Sequence, residues 1–316
     1  MRYGRYRIRC RLKDDALLPP YQGSTLRGLL GHALKRVVCT LKHQECGQCL
    51  LREKCVYAFF FHTPDRGDAP SPAARMAAPP KPYVLEPPQW GQSDYKSGDI
   101  LDFSILLFGR ANEYLPYLIY AFKHMGSLGI GKKVQGRRAQ YDLEQVFFEN
   151  RCIYTAETDR LLVVEPLGLR LTDPMDSGQA ASAIHIDFET PLRVKFKNSF
   201  SAELPFHLLV RTVLRRISSL EAVHGPGEPD LDYRGLVARA EGIRVRENGL
   251  RWFDWPRYSA RQDQKMLMGG LVGRMVYAGE LSEFLPLLRF GEEVHIGKQT
   301  SFGLGRYRII QTSGEA

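Results

Sequence analysis

The sequence has no long apolar segment. No apolar run approaches the roughly 20 residues that a membrane-spanning helix needs, which disfavours a helical membrane protein. The opening segment, MRYGRYRIRCRL, also lacks the apolar core and the small-residue cleavage site of a secretory signal, and its alternation predicts a strand instead. We therefore expect a cytoplasmic protein that does not associate with a membrane.

Cysteine is scarce outside one short segment. Four of the six cysteines lie within it, at Cys39, Cys46, Cys49 and Cys55, which favours a metal site in a reducing compartment over a disulfide framework. The central Cys-x2-Cys spacing lets two thiolates reach one ion, so a structural zinc is the leading interpretation. The alternatives are an iron–sulfur cluster, His43 in place of Cys39, and cysteines that bind no metal, since the intervals are not those of a standard zinc finger.

The basic segments also lack the acidic residues of familiar catalytic sites. Neither glycine-rich segment carries an array of aspartates and glutamates for magnesium, which disfavours a two-metal nuclease. Gly126, Gly131 and Lys132 have the spacing of a phosphate-binding P-loop, but Lys133 stands where a serine or threonine must hold magnesium. The segment also follows a predicted helix and not a strand. A nucleotide hydrolase is therefore excluded.

What the chain does have is positive charge and enough length for two domains. It contains 44 Lys and Arg against 35 Asp and Glu, a formal net charge of +9, which favours a polyanionic partner. Its 316 residues, 44% of them hydrophobic, suffice for two packed domains of ordinary size.

One segment of the chain occurs twice. LLFGRANEYLPYL, residues 106–118, returns as VYAGELSEFLPLL, residues 276–288, with no gap between the matching positions. Each copy is followed by a segment rich in glycine and lysine and then by a closing strand pattern. We infer two tandem copies of one small domain, residues 1–158 and 159–316.

The order of predicted elements is the same in both halves. It is β-α-β-β-α-β, which predicts the ferredoxin-like, or RNA-recognition, fold of class α+β, in which two helices cover one face of an antiparallel sheet. Residues 39–82, rich in cysteine and then in proline and alanine, are predicted to be an insertion in the first domain. The predicted elements lie at 3–12, 25–38, 83–86, 100–107, 112–125 and 139–148 in the first half, and at 184–196, 206–223, 243–246, 269–277, 282–288 and 305–311 in the second.

Two basic glycine loops follow the repeated segments and are the candidate RNA contacts. Glycine lets the backbone approach a phosphate closely, and the cations around it neutralise the charge. The alternative is that the glycines only form tight left-handed turns. The candidate residues are Lys132, Lys133, Arg137 and Arg138 in the first loop, and His295, Lys298, Gly303, Gly305 and Arg306 in the second.

His32 is the leading candidate for a catalytic role among eight histidines. It lies on the first predicted helix, with glycines on either side and with Arg27, Lys35 and Arg36 nearby. Cations near an imidazole favour its neutral form, and they also attract a phosphate. His295, beside the second glycine loop, is the second candidate, although a lone histidine is more often structural than catalytic.

Aromatic and cationic residues are interleaved in residues 250–273. Trp252, Phe253, Trp255 and Tyr258 stand among three arginines and a lysine. Rings that stack on bases, beside cations that hold phosphates, suit single-stranded or hairpin RNA. The alternative is that part of this set fills the core of the second half.

Through these residues the chain resembles a known family. In the second half, RYSARQDQKMLMGGLVG (257–273) followed by HIGKQTSFGLGRYRI (295–309) looks like the carboxy-terminal signature and glycine-rich loop of the CRISPR-associated repeat-processing endoribonucleases. These form the sixth Cas family, within the repeat-associated mysterious protein (RAMP) superfamily. The first half is similar more generally, through STLRGLLGHAL (24–34), the cysteine-bearing insertion and GIGKKVQGRRAQYDL (129–143).

This resemblance implies two ferredoxin-like domains that bind CRISPR repeat RNA and cut the precursor transcript, with no metal or other cofactor in catalysis. The ribose 2′-hydroxyl attacks the adjacent phosphate and leaves a 2′,3′-cyclic phosphate and a 5′-hydroxyl. The resemblance places the catalytic histidine on or near the first helix, at His32, with Tyr21, Lys35 or Lys42 assisting. Other subunits of a CRISPR effector complex are expected partners.

Two other functions stay open at this point. Related members of the superfamily use the same fold and loops as non-catalytic RNA-binding subunits of a CRISPR effector complex. The third interpretation is a metal-stabilised RNA-binding module outside CRISPR biology. A histidine whose loss stops cleavage while binding is preserved would separate the enzyme from both.

Overall fold

The computed structural model describes most of the chain and divides into two units. The described residues are 1–42, 45–62, 76, 79–88, 90–171, 181–194, 203–259 and 264–313, except for the side chains of 256–259, 264–267 and 311–313. The first unit comprises Met1–Gly168 and Val223–Gly225, and the second comprises Leu169–Ala222 and Pro226–Ala316. The boundary after Gly168 lies on the carboxyl side of the predicted division after residue 158.

The first unit is built from a large antiparallel sheet, two long helices and short added elements. Its strands are β1 (Arg2–Leu12), β2 (Ala16–Leu17), β3 (Tyr83–Glu86), β4 (Asp94–Tyr95), β5 (Ile100–Phe108), β6 (Ile130–Val134), β7 (Arg137–Ala139), β8 (Tyr141–Phe148), β9 (Arg151–Thr155), β10 (Arg160–Leu161) and β11 (Leu167–Gly168). Its helices are α1 (Gly23–Val38), α2 (Val56–Phe61) and α3 (Leu115–Leu128), with 3₁₀ turns at Cys46–Gln48, Arg52–Lys54 and Gly109–Tyr114.

The central strands of this sheet follow the ferredoxin-like order. They lie side by side as β8-β1-β5-β3, with every neighbouring pair antiparallel. The alternation of the sequence explains why β1 is central, because Tyr6, Ile8 and Cys10 are buried at 1% exposure or less. The strands β9 and β10 extend the β8 edge, and β11 pairs with β1. The predicted β-α-β-β-α-β order is confirmed in this unit.

The helix α1 packs one stripe into the core and leaves another in solvent. Leu26, Leu30, Ala33 and Leu34 are fully buried, and they are spaced three and four residues apart, as on one side of a helix. Each buried leucine contributes about 1.5–3 kcal/mol relative to an exposed one. This burial decides which residues of α1 face solvent.

The second unit repeats this architecture. Its strands are β12 (Ala183–Leu192), β13 (Arg244–Asn248), β14 (Arg251–Ser259), β15 (Gln264–Ala278) and β16 (Arg308–Ser313), and its helices are α4 (Phe206–His224), α5 (Tyr233–Ala240) and α6 (Leu285–Val294), with 3₁₀ turns at Ser282–Phe284 and Thr300–Phe302. The sheet order β13-β15-β12-β16 is again ferredoxin-like, and β14 pairs with β15 as an added arm. The predicted tandem fold is confirmed. In the described parts of the chain, no helix is both long and apolar enough to cross a membrane.

The repeated sequence segment has the same structure in both units. In the first unit β5 ends before Gly109, a 3₁₀ turn follows, and α3 has Pro116 in its first turn. In the second unit β15 ends before Gly279, a 3₁₀ turn follows, and α6 has Pro286 in its first turn. Proline is favoured there because the first N–H groups of a helix have no partner within the helix. The repeat is therefore one strand–turn–helix motif used twice.

Candidate nucleic-acid interface

The helix α1 presents an exposed stripe that contains the leading catalytic candidate. Gly28, His32 and Arg36 are exposed and four residues apart, so they lie along one face of the helix. A helical side chain leans toward the N-terminus, which places the His32 imidazole over the turn of Gly28. A Cβ atom at Gly28 would have no heavy atom within 4 Å. The imidazole therefore has open space beside it for a ligand.

The polar groups of this stripe are not engaged by neighbours. Within the described residues, neither His32 nor Arg36 makes a hydrogen bond or an ion pair. Lys35, half-buried and one helical turn from His32, lies with its Nζ 5.7 Å from the centre of the Tyr57 ring. The stripe, together with Lys35 beside it, can therefore accept a proton at an imidazole and offer two cations to a phosphate.

The structure does not bring Tyr21 to this stripe. Tyr21 precedes α1 and is 4% exposed, with its ring centre 4.7 Å from that of Trp90. At 1.5 Å per residue, the start of α1 is about 14 Å along the helix axis from His32. Burial also raises the pKa of the Tyr21 hydroxyl well above its ordinary value. Of the three predicted catalytic residues, His32 and Lys35 are neighbours and Tyr21 is not, while Lys42 is exposed beyond the end of α1.

The first predicted glycine loop is a β-hairpin. The strand β6 pairs with β7, and Val134 faces Arg137 across a two-residue turn. The turn residues Gln135 and Gly136 both have positive φ, 49° and 82°, as a type I′ hairpin turn requires. The backbone twist of a type I′ turn matches the right-handed twist of the flanking strands. The segment is therefore an extended pair of strands and not the loop that the sequence predicts.

The hairpin carries exposed positive charge. Its cations are Lys132, Lys133, Arg137 and Arg138. Within the described residues, none of them has a carboxylate within 4.0 Å. A groove of about 960 Å³ beside the hairpin is also lined by Asp14 and Asp15, whose carboxylates accept from the Gln140 N–H at 2.9 Å and from Lys96 Nζ at 2.8 Å. The structure thus places the four predicted RNA contacts together and leaves them unneutralised.

The arginines of β1, in contrast, are already paired. Arg7 and Arg9 lie 3.4 and 3.1 Å from Asp102, and Arg11 pairs with Glu144. Such pairs are worth little to stability, but they cancel the charge that a phosphate would meet. In the described part of this unit, Lys35, Arg36 and the four hairpin cations therefore have no carboxylate partner.

The second predicted glycine loop is packed into the unit. Residues 300–305 are buried. Gly305 has a φ of 75°, and a Cβ atom there would overlap the carbonyl oxygen of Ile296. The Thr190 hydroxyl donates to the Gly303 carbonyl at 2.9 Å and accepts from the Arg306 N–H at 2.8 Å. Here the glycines let backbone approach backbone, so the alternative of tight left-handed turns describes this loop.

The side chains of the second loop mostly face inward. His295 is fully buried, and its Nδ1 lies 3.2 Å from the carbonyl oxygen of Leu304. Arg306 pairs with Glu189 at 2.8 Å. Lys298 is exposed, and no carboxylate pairs with it within the described residues. Among the five predicted contacts of this loop, Lys298 is the one that offers a free charge to solvent, and His295 is placed as a structural residue.

Arg216 organises this loop and was not singled out by the sequence pattern. It is 7% exposed on α4, and its guanidinium donates to the carbonyl oxygens of Val294 and His295, both at 3.0 Å. Burial lowers the pKa of Arg216 to about 9, so the group is still charged at neutral pH. The available signal was a charged residue on the apolar stripe of α4, beside Val213 and Ile217.

The structure does not support the predicted metal site. Within the described residues, no group of three or more His, Cys, Asp or Glu side chains is placed to hold one ion. Cys39, Cys46, Cys49 and Cys55 are half-buried and form no disulfide, and His43 lies outside the described residues. Among the described side chains, the four thiolates are therefore not gathered around one point where zinc or an iron–sulfur cluster would bind.

The added strand β14 carries the predicted aromatic cluster. Trp252, Phe253 and Trp255 are half-buried, and the Arg251 guanidinium lies 5.8 Å from the centre of the Phe253 ring. The side chain of Tyr258 lies outside the described residues. The described rings of this set therefore keep part of their surface accessible for stacking.

Two family models match the chain. AF_1859_N, an N-terminal domain, matches residues 1–166, which is more than half of the chain, and the CRISPR-associated endoribonuclease Cas6 matches residues 186–307. The chain belongs to the AF_1859_N family and is Cas6-like. A protein of Archaeoglobus fulgidus is 28% identical to this Cas6-like chain over 298 residues, which is 92% of each of the two chains.

Solved structures of Cas6 proteins share the fold. Thermus thermophilus Cas6 matches with a TM-score of 0.55 and 13% identity over 98% of both chains. A Cas6 product complex matches with a TM-score of 0.51 and 17% identity, over 98% of this chain and 100% of that one. The Cas6-like chain also matches 46% of a chain in a partial Cas6-RT-Cas1–Cas2 complex, with a TM-score of 0.59 and 13% identity over 99% of its own length. At these identities the likeness establishes the tandem fold.

Proposed function

We propose that the chain is a metal-independent endoribonuclease that cuts CRISPR precursor RNA within its repeats. The observation that carries the proposal is the exposed, unengaged His32 beside Lys35 and Arg36, in a chain whose residues 186–307 match the Cas6 endoribonuclease family. The match of residues 186–307 to an endoribonuclease family supports RNA as the substrate.

In the proposed reaction, His32 accepts the proton of the ribose 2′-hydroxyl, and the resulting oxygen attacks the adjacent phosphorus. The bond between O2′ and phosphorus forms as the bond between phosphorus and O5′ breaks, and O5′ leaves with a proton from the solvent. Lys35 and Arg36 stabilise the negative charge that builds up on the phosphate oxygens. The products are a 2′,3′-cyclic phosphate and a 5′-hydroxyl.

The proposal assigns RNA binding to the cations that lack carboxylate partners. The hairpin of β6 and β7 and Lys298 hold phosphates, and the rings of β14 stack on unpaired bases. His295, Gly303, Gly305 and Arg306 keep the second loop in shape. The assignment is based on which cations have carboxylate partners and on which side chains are buried. The two loops differ in both properties, although they look alike in sequence.

The proposed function is tested by incubating the wild-type chain with repeat RNA from the same genome in excess EDTA. We expect cleavage within the repeat and a cyclic phosphate end, identified by mass spectrometry. A shuffled RNA of the same composition is the control and is expected to stay intact. Repeat RNA that is bound tightly but left uncut would favour the second candidate, a non-catalytic RNA-binding subunit of a CRISPR effector complex, which the unpaired hairpin cations also suit.

The hairpin is expected to contribute to RNA affinity in a salt-dependent way. The slope of log affinity against log salt is negative, and each lost phosphate contact reduces its magnitude by about 0.7–0.9. The double variant Lys132→Ala/Lys133→Ala should therefore reduce the magnitude of the slope by about 1.5. Fluorescence anisotropy between about 50 and 200 mM salt measures the slope. The charge-matched control is Lys13→Ala/Lys96→Ala, since these lysines already pair with Asp142 and Asp15 at 2.8 Å. Equal slopes for the two double variants would contradict the hairpin contact.

A further inference from the structure

The helix α2, inside the predicted insertion, packs along α1 through two aromatic rings. Tyr57 and Phe61 stack on each other, with ring centres 5.2 Å apart and an angle of 14° between the planes. The Phe61 ring lies 3.1 Å from the Cβ position of Gly31 and 5.4 Å from the Arg27 guanidinium. Arg27, Gly31 and Lys35 are four residues apart, so α2 follows the stripe of α1 next to the His32 stripe. Tyr57 and Phe61 thus form an aromatic wall along one side of the exposed stripe that contains His32.

The aromatic wall holds the Lys35 ammonium group. Its Nζ lies 5.7 Å from the centre of the Tyr57 ring, within the range of a cation–π contact. No carboxylate among the described residues pairs with it. A ring attracts a cation without cancelling its charge, whereas a carboxylate would form a neutral pair. Lys35 is therefore placed by a neighbour that leaves its charge available to a phosphate.

We propose that Tyr57 is a positioning residue that holds Lys35 beside His32 during RNA cleavage. The proposal rests on the endoribonuclease function above, and it gives the insertion a part in catalysis in place of metal binding. A lysine ammonium sits on a flexible four-carbon stem, and a nearby ring narrows the positions it occupies. A charge already placed where the phosphate becomes more negative speeds the chemical step. RNA affinity should change little, because it depends on many other phosphate contacts.

The test compares ring replacements at Tyr57 in single-turnover cleavage with saturating RNA and EDTA. Tyr57→Leu is expected to lower the cleavage rate constant about fivefold, and Tyr57→Phe to stay within about twofold of wild type, with the RNA Kd unchanged in both. Replacing Tyr57 by 4-cyanophenylalanine keeps the packing but withdraws electrons from the ring, so it should act like Tyr57→Leu. A Tyr57→Phe variant as slow as Tyr57→Leu would overturn the proposal.

A double-mutant cycle separates positioning from packing. In a Lys35→Met background, Tyr57→Leu is expected to cause no further loss of rate, because Tyr57 acts through Lys35. The same fivefold loss in both backgrounds would overturn the proposal. Phe59→Leu is the control on the same helix, since Phe59 packs against Phe60 and Tyr114, and its rate constant should stay near wild type.

A spectroscopic measurement separates failure of this inference from failure of the proposed function. The measurement is the NMR chemical shift of the Lys35 ε-methylene protons in protein with ¹³C-labelled lysine, and the Lys35→Met variant identifies the signal. The ring at position 57 should shift this signal upfield in wild type and in Tyr57→Phe. The shift should be absent in Tyr57→Leu. No upfield shift in wild type would overturn the positioning role even if RNA is cut. An upfield shift in a protein that does not cleave RNA in EDTA would establish the contact between Tyr57 and Lys35. It would also show that the proposed endoribonuclease function is wrong, and with it the catalytic role of this contact.

Discussion

Replacing His32 with alanine is expected to lower the rate constant for cleavage of repeat RNA by about 10²–10⁴-fold, the usual contribution of a general base. The RNA Kd should stay within about twofold, because binding depends on phosphate contacts elsewhere. His32 is exposed and makes no hydrogen bond within the described residues, so the free energy of unfolding should change by less than about 0.5 kcal/mol. Single-turnover cleavage in EDTA and fluorescence anisotropy measure the two effects separately.

His124→Ala is the matched control for this experiment. His124 lies on α3 of the same unit, where the Ser127 hydroxyl is 3.4 Å from its Nδ1, and it does not share the stripe of His32. Cleavage by this variant should stay near the wild-type rate. Wild-type cleavage by His32→Ala would show that the base lies elsewhere and would remove the catalytic assignment on α1. Loss of binding and cleavage together would point to a damaged RNA site.

Gly305→Ala is expected to lower the free energy of unfolding of the second unit by more than about 3 kcal/mol. The φ of 75° alone costs an alanine about 1–2 kcal/mol, and the new Cβ atom would also overlap the carbonyl oxygen of Ile296, a backbone atom that can move only with the chain around it. The two ends of this loop are also joined by a hydrogen bond of 3.0 Å from the Ile296 N–H to the Gly305 carbonyl oxygen. Denaturant unfolding measures the loss, and amide exchange at Ile296 reports it locally.

Gly136→Ala on the hairpin is the control for the backbone contact. Its φ of 82° is equally unfavourable for alanine, but its Cβ atom would meet no heavy atom within 4 Å. The expected loss is therefore about 1–2 kcal/mol, from backbone conformation alone. If both variants lost the same free energy of unfolding, the backbone around Gly305 would be able to move away from the new Cβ atom. The close contact between Gly305 and Ile296 would then not constrain the second loop.

The two glycine loops show where sequence reasoning stops. Both combine glycines with cations after the same repeated segment, and the pattern predicts the same role for both. In the structure, Gly136 turns a solvent-exposed hairpin, whereas Gly305 lies against the backbone of Ile296. The sequence shows that a residue without a Cβ is needed at each place, but it does not show which atoms fill the space that the missing Cβ leaves.

Burial explains the other differences between pattern and structure. Tyr21 and His295 have side chains suited to catalysis, but both are buried, and neither lies on the exposed stripe of α1. Arg216, which the sequence pattern did not single out, is buried and donates to carbonyl oxygens. The central Cys-x2-Cys pair has a spacing that zinc sites use, but among the described residues the four thiolates are not gathered around one point. Each outcome depends on contacts between segments far apart in the chain.

The sequence alone predicts the tandem ferredoxin-like fold, the repeated strand–turn–helix motif and the place of His32 on the first helix. Those features follow from local periodicity, which repeats every two residues in a strand and every 3.6 in a helix and needs no knowledge of distant neighbours. Contacts between distant segments, in contrast, determine which cations keep their charge, which glycines touch backbone, and which ring faces Lys35. Such properties belong to pairs of residues that meet only after folding, because charge compensation and burial depend on what packs nearby.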